Sequence, residues 1–287
     1  MNLEKIYDKN YKKLILIPVT LLVIAFIILG VSYFSTGEFV KRGISLKGGI
    51  SMTIEKPNLD ENDISSYLSE RYSSFNVRVL RDLATRESTG IIVEASNVEE
   101  QELKPYLQGK IHFTEDEYSI EQYSSSFSES FFRQLVLTVI FAFVLMAIVV
   151  YIVFRTFVPS LAVVFAAFSD IIITLGVLSL FRMDISSGGI MALLLVIGYS
   201  IDTDILLTTR LLKRKVGNIY ERLKGAITTG LTMTVTTIAA LLVGFIFSTA
   251  PVLKEIFLII LIALVIDIIT TYLGNASMLL WYIKREK

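Results

Sequence analysis

The chain has 287 residues, 53% of them hydrophobic, with 27 basic residues against 27 acidic ones. Its mean hydropathy of +0.64 is too high for an ordinary soluble protein and indicates a polytopic membrane protein. The zero net charge gives no bias toward nucleic acid, and the absence of cysteine excludes disulfides, thiolate catalysis and cysteine-held zinc or iron–sulfur sites. The single histidine, His112, cannot build a histidine-rich metal site. No cofactor and no metal are expected.

Crossing hydrocarbon takes about 20 mostly apolar residues. The first stretch that qualifies is 14–35, long enough to remain as an anchor. A polar segment, 36–131, follows it. Within that segment "GISMTIEKP" (49–57) alternates like a strand, and "NLDENDISSYLSERYSS" (58–74) reads as a helix with Ile64, Leu68 and Tyr72 on one face. "FNVRVLRDL" (75–83) and "GIIVEAS" (90–96) are β-rich, "NVEEQELKPYL" (97–107) reads as a short helix broken by Pro105, and "DEYSIEQYS" (116–124) as a last strand. The order β-α-β-β-α-β is that of a ferredoxin-like split βαβ unit, a scaffold that names no function. The Ser-rich "YSSSFSESFF" (123–132) reads as a hinge into the next span.

Five more apolar stretches follow, at 134–154, 157–181, 190–209, 225–248 and 255–282, joined by short connections. The expected fold is a polytopic α-helical membrane protein of six transmembrane helices with one small α+β domain between helices one and two. The expected organisation is 1–35 (N-terminus and helix one), 36–131 (outer domain) and 132–287 (helices two to six). Basic residues set the orientation. Lys5, Lys9, Lys12 and Lys13 precede the first span. Arg210, Lys213, Arg214, Lys215, Arg222 and Lys224 follow the fourth, and Lys284, Arg285 and Lys287 end the chain. The opposite loops hold only Arg182 and Lys254. This asymmetry places both termini inside and 36–131 outside a cell membrane.

Ionisable residues inside spans are rare and face a bundle interior or a wet cavity. Four stand out: Asp170 in the third span, Asp202 and Asp204 in the fourth, and Asp267 in the sixth. Asp202 and Asp204 lie about 200° apart on a regular helix and cannot point at one spot. Asp204 continues a polar stripe with Ser200 and Thr208, while Gly198 behind Asp202 allows another helix close approach. Lys224, Thr228, Thr232 and Thr236 form a polar face on the fifth span, a plausible partner for a carboxylate. One reading is an ion or proton relay, carried by one of Asp202 and Asp204, with Asp170 and Lys224 as further members. The other is a set of buried carboxylates that only glue helices. Asp170 stands open between the two. Asp267 reads as structural support, because "IDIITTYLGNAS" offers Thr and Asn partners. His112 reads as a surface residue. An intramembrane aspartic protease would need a Gly-x-Gly-Asp run, and Gly198-Tyr199-Ser200-Ile201-Asp202 lacks the second glycine. No P-loop occurs.

Four segments resemble the SecF family, the smaller subunit of the SecD–SecF protein-export complex within the RND superfamily. They are "GISLKGGI" (43–50), "FSDIIITLGVLSLF" (168–181), "VIGYSIDTDILLTTRLLK" (196–213) and "LKGAITTGLTMTVTTI" (223–238). They occur in order and at fitting spacing, and the resemblance covers nearly the whole chain. Ser45, Ser169 and Thr203 depart from the family's usual residues and point to a divergent, archaeal-type branch. Alignment with SecD favours Asp202 as the ion carrier.

The resemblance implies no enzyme. It implies an accessory subunit that acts with SecD beside the SecY channel, in the lipid bilayer, and uses an ion gradient to help draw unfolded exported polypeptide outward. It also implies a hinge at 36–50 and 123–132, with Gly43, Gly48 and Gly49 of the signature supplying backbone freedom. The rival readings are an RND-type small-molecule exporter subunit and a scaffold without ion coupling.

Overall fold

A computed structural model describes residues 3–81, 87–96, 98–213, 217–248 and 250–285. Arg214, Lys215 and Lys287, counted above among the basic residues, lie outside the described residues, as do the side chains of Lys5 and Lys9. The ends of the expected strand at residues 82–83 and Asn97 also lie outside them. The chain divides into two compact units, Arg42–Leu135 and the combination of Met1–Lys41 with Val136–Lys287.

Helices α1 (Leu3–Leu14) and α2 (Leu16–Thr36) open the chain. The break between them has a local cause: Pro18 has no N–H to offer the carbonyl four residues back, at Leu14. Gly37 ends α2 in the left-handed region at φ 76°, its N–H donating to the Tyr33 carbonyl.

The unit Arg42–Leu135 begins with the short α3 (Ile44–Lys47), β1 (Gly49–Ile54) and α4 (Glu61–Ser69). It continues with β2 (Phe75–Arg81), β3 (Ser88–Ser96), α5 (Glu100–Gln108) and β4 (Tyr118–Tyr123). The sheet is wholly antiparallel in the order β2-β3-β1-β4, the arrangement the split βαβ pattern implies. Alternation explains the core. Ile50, Met52 and Ile54 of β1 and Ile91, Val93 and Ala95 of β3 bury one face under Ile64, Leu68, Leu103 and Leu107 of the two helices. Asp60 caps α4, its side chain accepting from the Asn62 N–H at 2.9 Å.

One expectation fails here. Pro105 does not break α5, which runs through it to Gln108. Proline forfeits one intrahelical bond, and the burial of Leu103 and Leu107 on either side outweighs that loss. The Ser-rich 123–132, read as a hinge into the second span, is mostly helical. From Ser125 onward it is the first part of α6 (Ser125–Phe154).

The remaining helices are α7 (Phe157–Leu180), α8 (Ser187–Leu212), α9 (Ile219–Phe247), α10 (Pro251–Ile269) and α11 (Ala276–Arg285). A π-helical segment, Thr270–Asn275, joins the last two, so that among the described residues six helical stretches are long and apolar enough to cross a membrane. The Ser186 hydroxyl caps α8 by accepting from the N–H groups of Gly188 and Gly189, and Asn218 with Glu221 forms a capping box on α9. In the most apolar windows, 61% of α7 is buried inside the protein and only 11% of α6 and of α9. Helices α7, α8 and α10 therefore form the centre, and α6 and α9 lie at the periphery.

Candidate functional site

The centre of the helical unit is polar. Asp170 on α7 and Asp204 on α8 are 0% exposed, and Asp267 on α10 is 1% exposed. Hydroxyl groups link all three. The Ser200 hydroxyl donates to Asp170 Oδ2 at 2.5 Å, and the Thr270 hydroxyl donates to Asp170 Oδ1. Thr203 Oγ1 stands 3.1 and 3.2 Å from the two oxygens of Asp267. Thr271 Oγ1 lies 2.9 Å from Asp204 Oδ1 and 3.0 Å from Asp267 Oδ1. The Asn275 amide donates to Asp204 Oδ1 at 2.7 Å.

Local sequence explains the convergence. Asp267, Thr271 and Asn275 follow one another at steps of four, and Thr270 is three beyond Asp267, so one side of the α10–π segment carries them all. The π turn widens the helix where these groups sit, and such turns recur at functional sites. Gly230 on α9 leaves room for Tyr272: a Cβ there would meet the Tyr272 hydroxyl and sit 3.3 Å from its Cζ.

Proton counting constrains the cluster. Each hydroxyl has one hydrogen, yet Thr271 faces two carboxylates and Thr203 faces both oxygens of Asp267 as well as the Ser200 carbonyl at 2.8 Å. Among the described residues, no lysine, arginine or histidine forms an ion pair with any of the three aspartates. Removing one carboxylate from water without a counter-charge costs several kcal/mol, and three joined through shared hydroxyls in one buried cluster repel one another. The arrangement therefore calls for bound protons or a bound cation. Asp204 Oδ2, Asn275 Oδ1 and Thr208 Oγ1 are buried without a protein partner, so the site retains unused oxygens around Asp204.

The expected residues divide sharply. Asp170, Asp204, Ser200 and Asp267 come together. Asp202, the favoured carrier, does not: it is exposed on the opposite side of α8, together with Gly198. Lys224, Thr228, Thr232 and Thr236 are likewise exposed, away from the aspartates. The hydroxyls of Thr232 and Thr236 turn back on their own helix. Thr232 donates to the Thr228 carbonyl at 2.8 Å and Thr236 to the Thr232 carbonyl at 2.9 Å. The face that α9 buries is instead Leu223, Ala226, Ile227, Gly230 and Thr234. Ser200 serves Asp170, although its stripe with Asp204 suggested otherwise. Thr203, noted in the sequence only as a departure from the family's usual residues, proves to touch Asp267. Its signal was available, since it lies three residues beyond Ser200 on the same face.

In the other unit, Gly48 and Gly49 occupy the left-handed region at φ 86° and 140°. A Cβ on Gly48 would stand 2.7 Å from the backbone N and the Oγ of Ser125. These glycines are needed at a closely packed corner where β1 begins. Gly43, at φ −70°, uses no conformation peculiar to glycine.

Comparison with known proteins agrees with this architecture. A family profile described as "Protein export membrane protein SecD/SecF, C-terminal" matches residues 104–285. The Protein-export membrane protein SecF of Methanolacinia petrolearia is 37% identical over 286 residues, covering 97% of each chain. That of Pyrococcus furiosus is 37% identical over 285 residues, 99% of this chain and 95% of its own. The crystal structure of SecDF, a translocon-associated membrane protein from Thermus thermophilus, superposes on 96% of this chain with a TM-score of 0.75 at 19% identity. This chain spans 38% of that protein's length. On the family profile and the near full-length relatives together, the chain belongs to the SecD/SecF family of protein-export membrane proteins.

Proposed function

We propose that the chain is the SecF-type subunit of a SecD–SecF pair. In this reading it assists a SecY channel by coupling an ion gradient to the outward movement of unfolded polypeptide. It is a transport accessory and not a catalyst. The observation that carries the coupling is the buried group Asp170–Asp204–Asp267, which has shared hydroxyl protons and no basic ion-pair partner among the described residues. Loading and unloading such a group changes the charge inside a packed bundle. One charge crossing 100 mV supplies about 2.3 kcal/mol, comparable to the few kcal/mol that separate alternative packings.

Asp202 takes a second role in the proposal. A carboxylate on an outward face, such as Asp202, is costly against lipid. The Asp202 side of α8 and the Lys224–Thr236 side of α9 would therefore meet the SecD bundle. The SecDF name of the solved neighbour, in which this chain spans 38% of the length, supports such a mate. Both termini would lie inside and the α+β unit outside, with residues 36–50 and the start of α6 passing motion between membrane and domain.

The test is export into inverted membrane vesicles by a variant with Asp170, Asp204 and Asp267 all changed to Asn. Export should lose its dependence on the gradient while the subunit still inserts beside its partner. Undiminished gradient dependence in that variant would refute the coupling role.

A further inference from the structure

A second feature of the helical unit lies apart from the carboxylates. Tyr11, Lys12 and Ile15 of the α1–α2 junction face Val158, Leu161, Ala162 and Phe165 of α7, and Ser277, Met278 and Trp281 of α11 close the cleft between them. Its volume is about 670 Å³, within the range of small-molecule sites, ~300–1,000 Å³. The walls are apolar, but the mouth is not. Lys12 and Lys13 have no acidic partner among the described residues. Arg285 stands over the Trp281 ring, 5.3 Å from its centre, and Lys284 stands 4.8 Å from the centre of the Tyr11 ring. Inside the cleft the Ser277 hydroxyl, on a residue 1% exposed, has no protein partner.

From this geometry we infer that the cleft is a specific site for one anionic phospholipid. An acyl chain matches walls of Ile15, Leu161, Phe165 and Met278. An anionic headgroup matches a mouth of lysine and arginine. Tyr and Trp are the side chains that settle at the membrane–water boundary, which sets the headgroup level at Tyr11 and Trp281. Ser277 then faces the polar oxygens that join chain to headgroup. Ile15, Ala162, Phe165 and Met278 also line a separate, very small cavity bordered by Ser169, Thr270 and Asn275.

The protein carries its own probe, because Trp281 is its only tryptophan and it lines the cleft. The full chain is reconstituted in vesicles containing rising fractions of phosphatidylglycerol or phosphatidylcholine with brominated chains, and Trp281 quenching is measured. Each basic residue near an anionic headgroup adds about fivefold in preference. Half-quenching should therefore need several-fold less brominated phosphatidylglycerol than brominated phosphatidylcholine. Lys12→Gln, an exposed change that leaves the core alone, should reduce the ratio about fivefold. Ala162→Phe fills the cleft with every charge kept and should abolish the preference. Equal quenching by the two lipids would overturn the inference. So would no quenching by either, which would mean that protein covers the cleft. A preference that survives both variants would mean general attraction of anionic lipid and would also overturn it.

Discussion

Thr271→Val tests whether the carboxylates are held by hydroxyls rather than by packing alone. Valine keeps the β-branched shape and replaces Oγ1 with a methyl group. Asp204 Oδ1 then loses its 2.9 Å partner and keeps only the Asn275 amide at 2.7 Å. Asp267 loses its 3.0 Å partner and keeps Thr203 at 3.1 and 3.2 Å. Hydrogen bonds between membrane helices average about 0.6 kcal/mol and reach about 1.7 kcal/mol. Losing this one hydroxyl, with both carboxyl groups left buried, gives a loss of about 1–3 kcal/mol. Thr271→Ser is the control: it keeps the hydroxyl and removes one buried methyl, worth about 0.8 kcal/mol. Unfolding of both variants in the same detergent should rank Val below Ser, and gradient-dependent export should fall in Val and persist in Ser. If Val matches wild type within about 0.5 kcal/mol while Ser is the weaker protein, the hydroxyl bridge carries nothing and the reasoning is wrong.

Two predictions concern the α+β unit. Gly48→Ala places a Cβ at φ 86° against Ser125, and should lower that unit's stability by more than about 1 kcal/mol in hydrogen exchange. Glu115 accepts from Lys104 Nζ at 2.8 Å and from the Tyr118 hydroxyl at 2.7 Å, which holds its carboxyl below the ordinary glutamate range, Lys104 contributing most. A depressed carboxyl stabilises the fold above its unfolded value, and that contribution is lost as pH falls through the folded one. Lys104→Met should therefore weaken the unit at neutral pH and flatten its acid unfolding curve. An unchanged curve would deny the linkage.

Much of the fold was legible because it rests on simple periodicities. Six apolar runs and the alternation in "GISMTI" and "GIIVEA" reflect burial on one face or on all sides, and the sheet order follows. The failures share a cause, since local pattern does not say which neighbour a face meets. Asp202 and Asp204 both lie in the same apolar helix, and only the packing of α7 and α10 against α8 buries Asp204 and leaves Asp202 outside. The threonine row of α9 looked like a carboxylate's partner, but a threonine satisfied by its own helix backbone can face outward. Asp267 was read as glue because Thr and Asn follow it. Thr271 does partner it at 3.0 Å, while Thr270 and Asn275 serve Asp170 and Asp204. The π turn that carries Thr270–Asn275 has no simple sequence signature.

The most direct test of the account compares two single substitutions in the same helix, Asp202→Asn and Asp204→Asn, for gradient-dependent export into inverted vesicles. Asparagine keeps the shape of aspartate, and at 204 it can still accept from Thr271 and the Asn275 amide, so the bundle should remain folded. The account predicts that Asp204→Asn abolishes the gradient-dependent part of export, while Asp202→Asn retains it and weakens the association with SecD. Normal coupling in Asp204→Asn with lost coupling in Asp202→Asn would contradict it and return the ion to the outer face of α8.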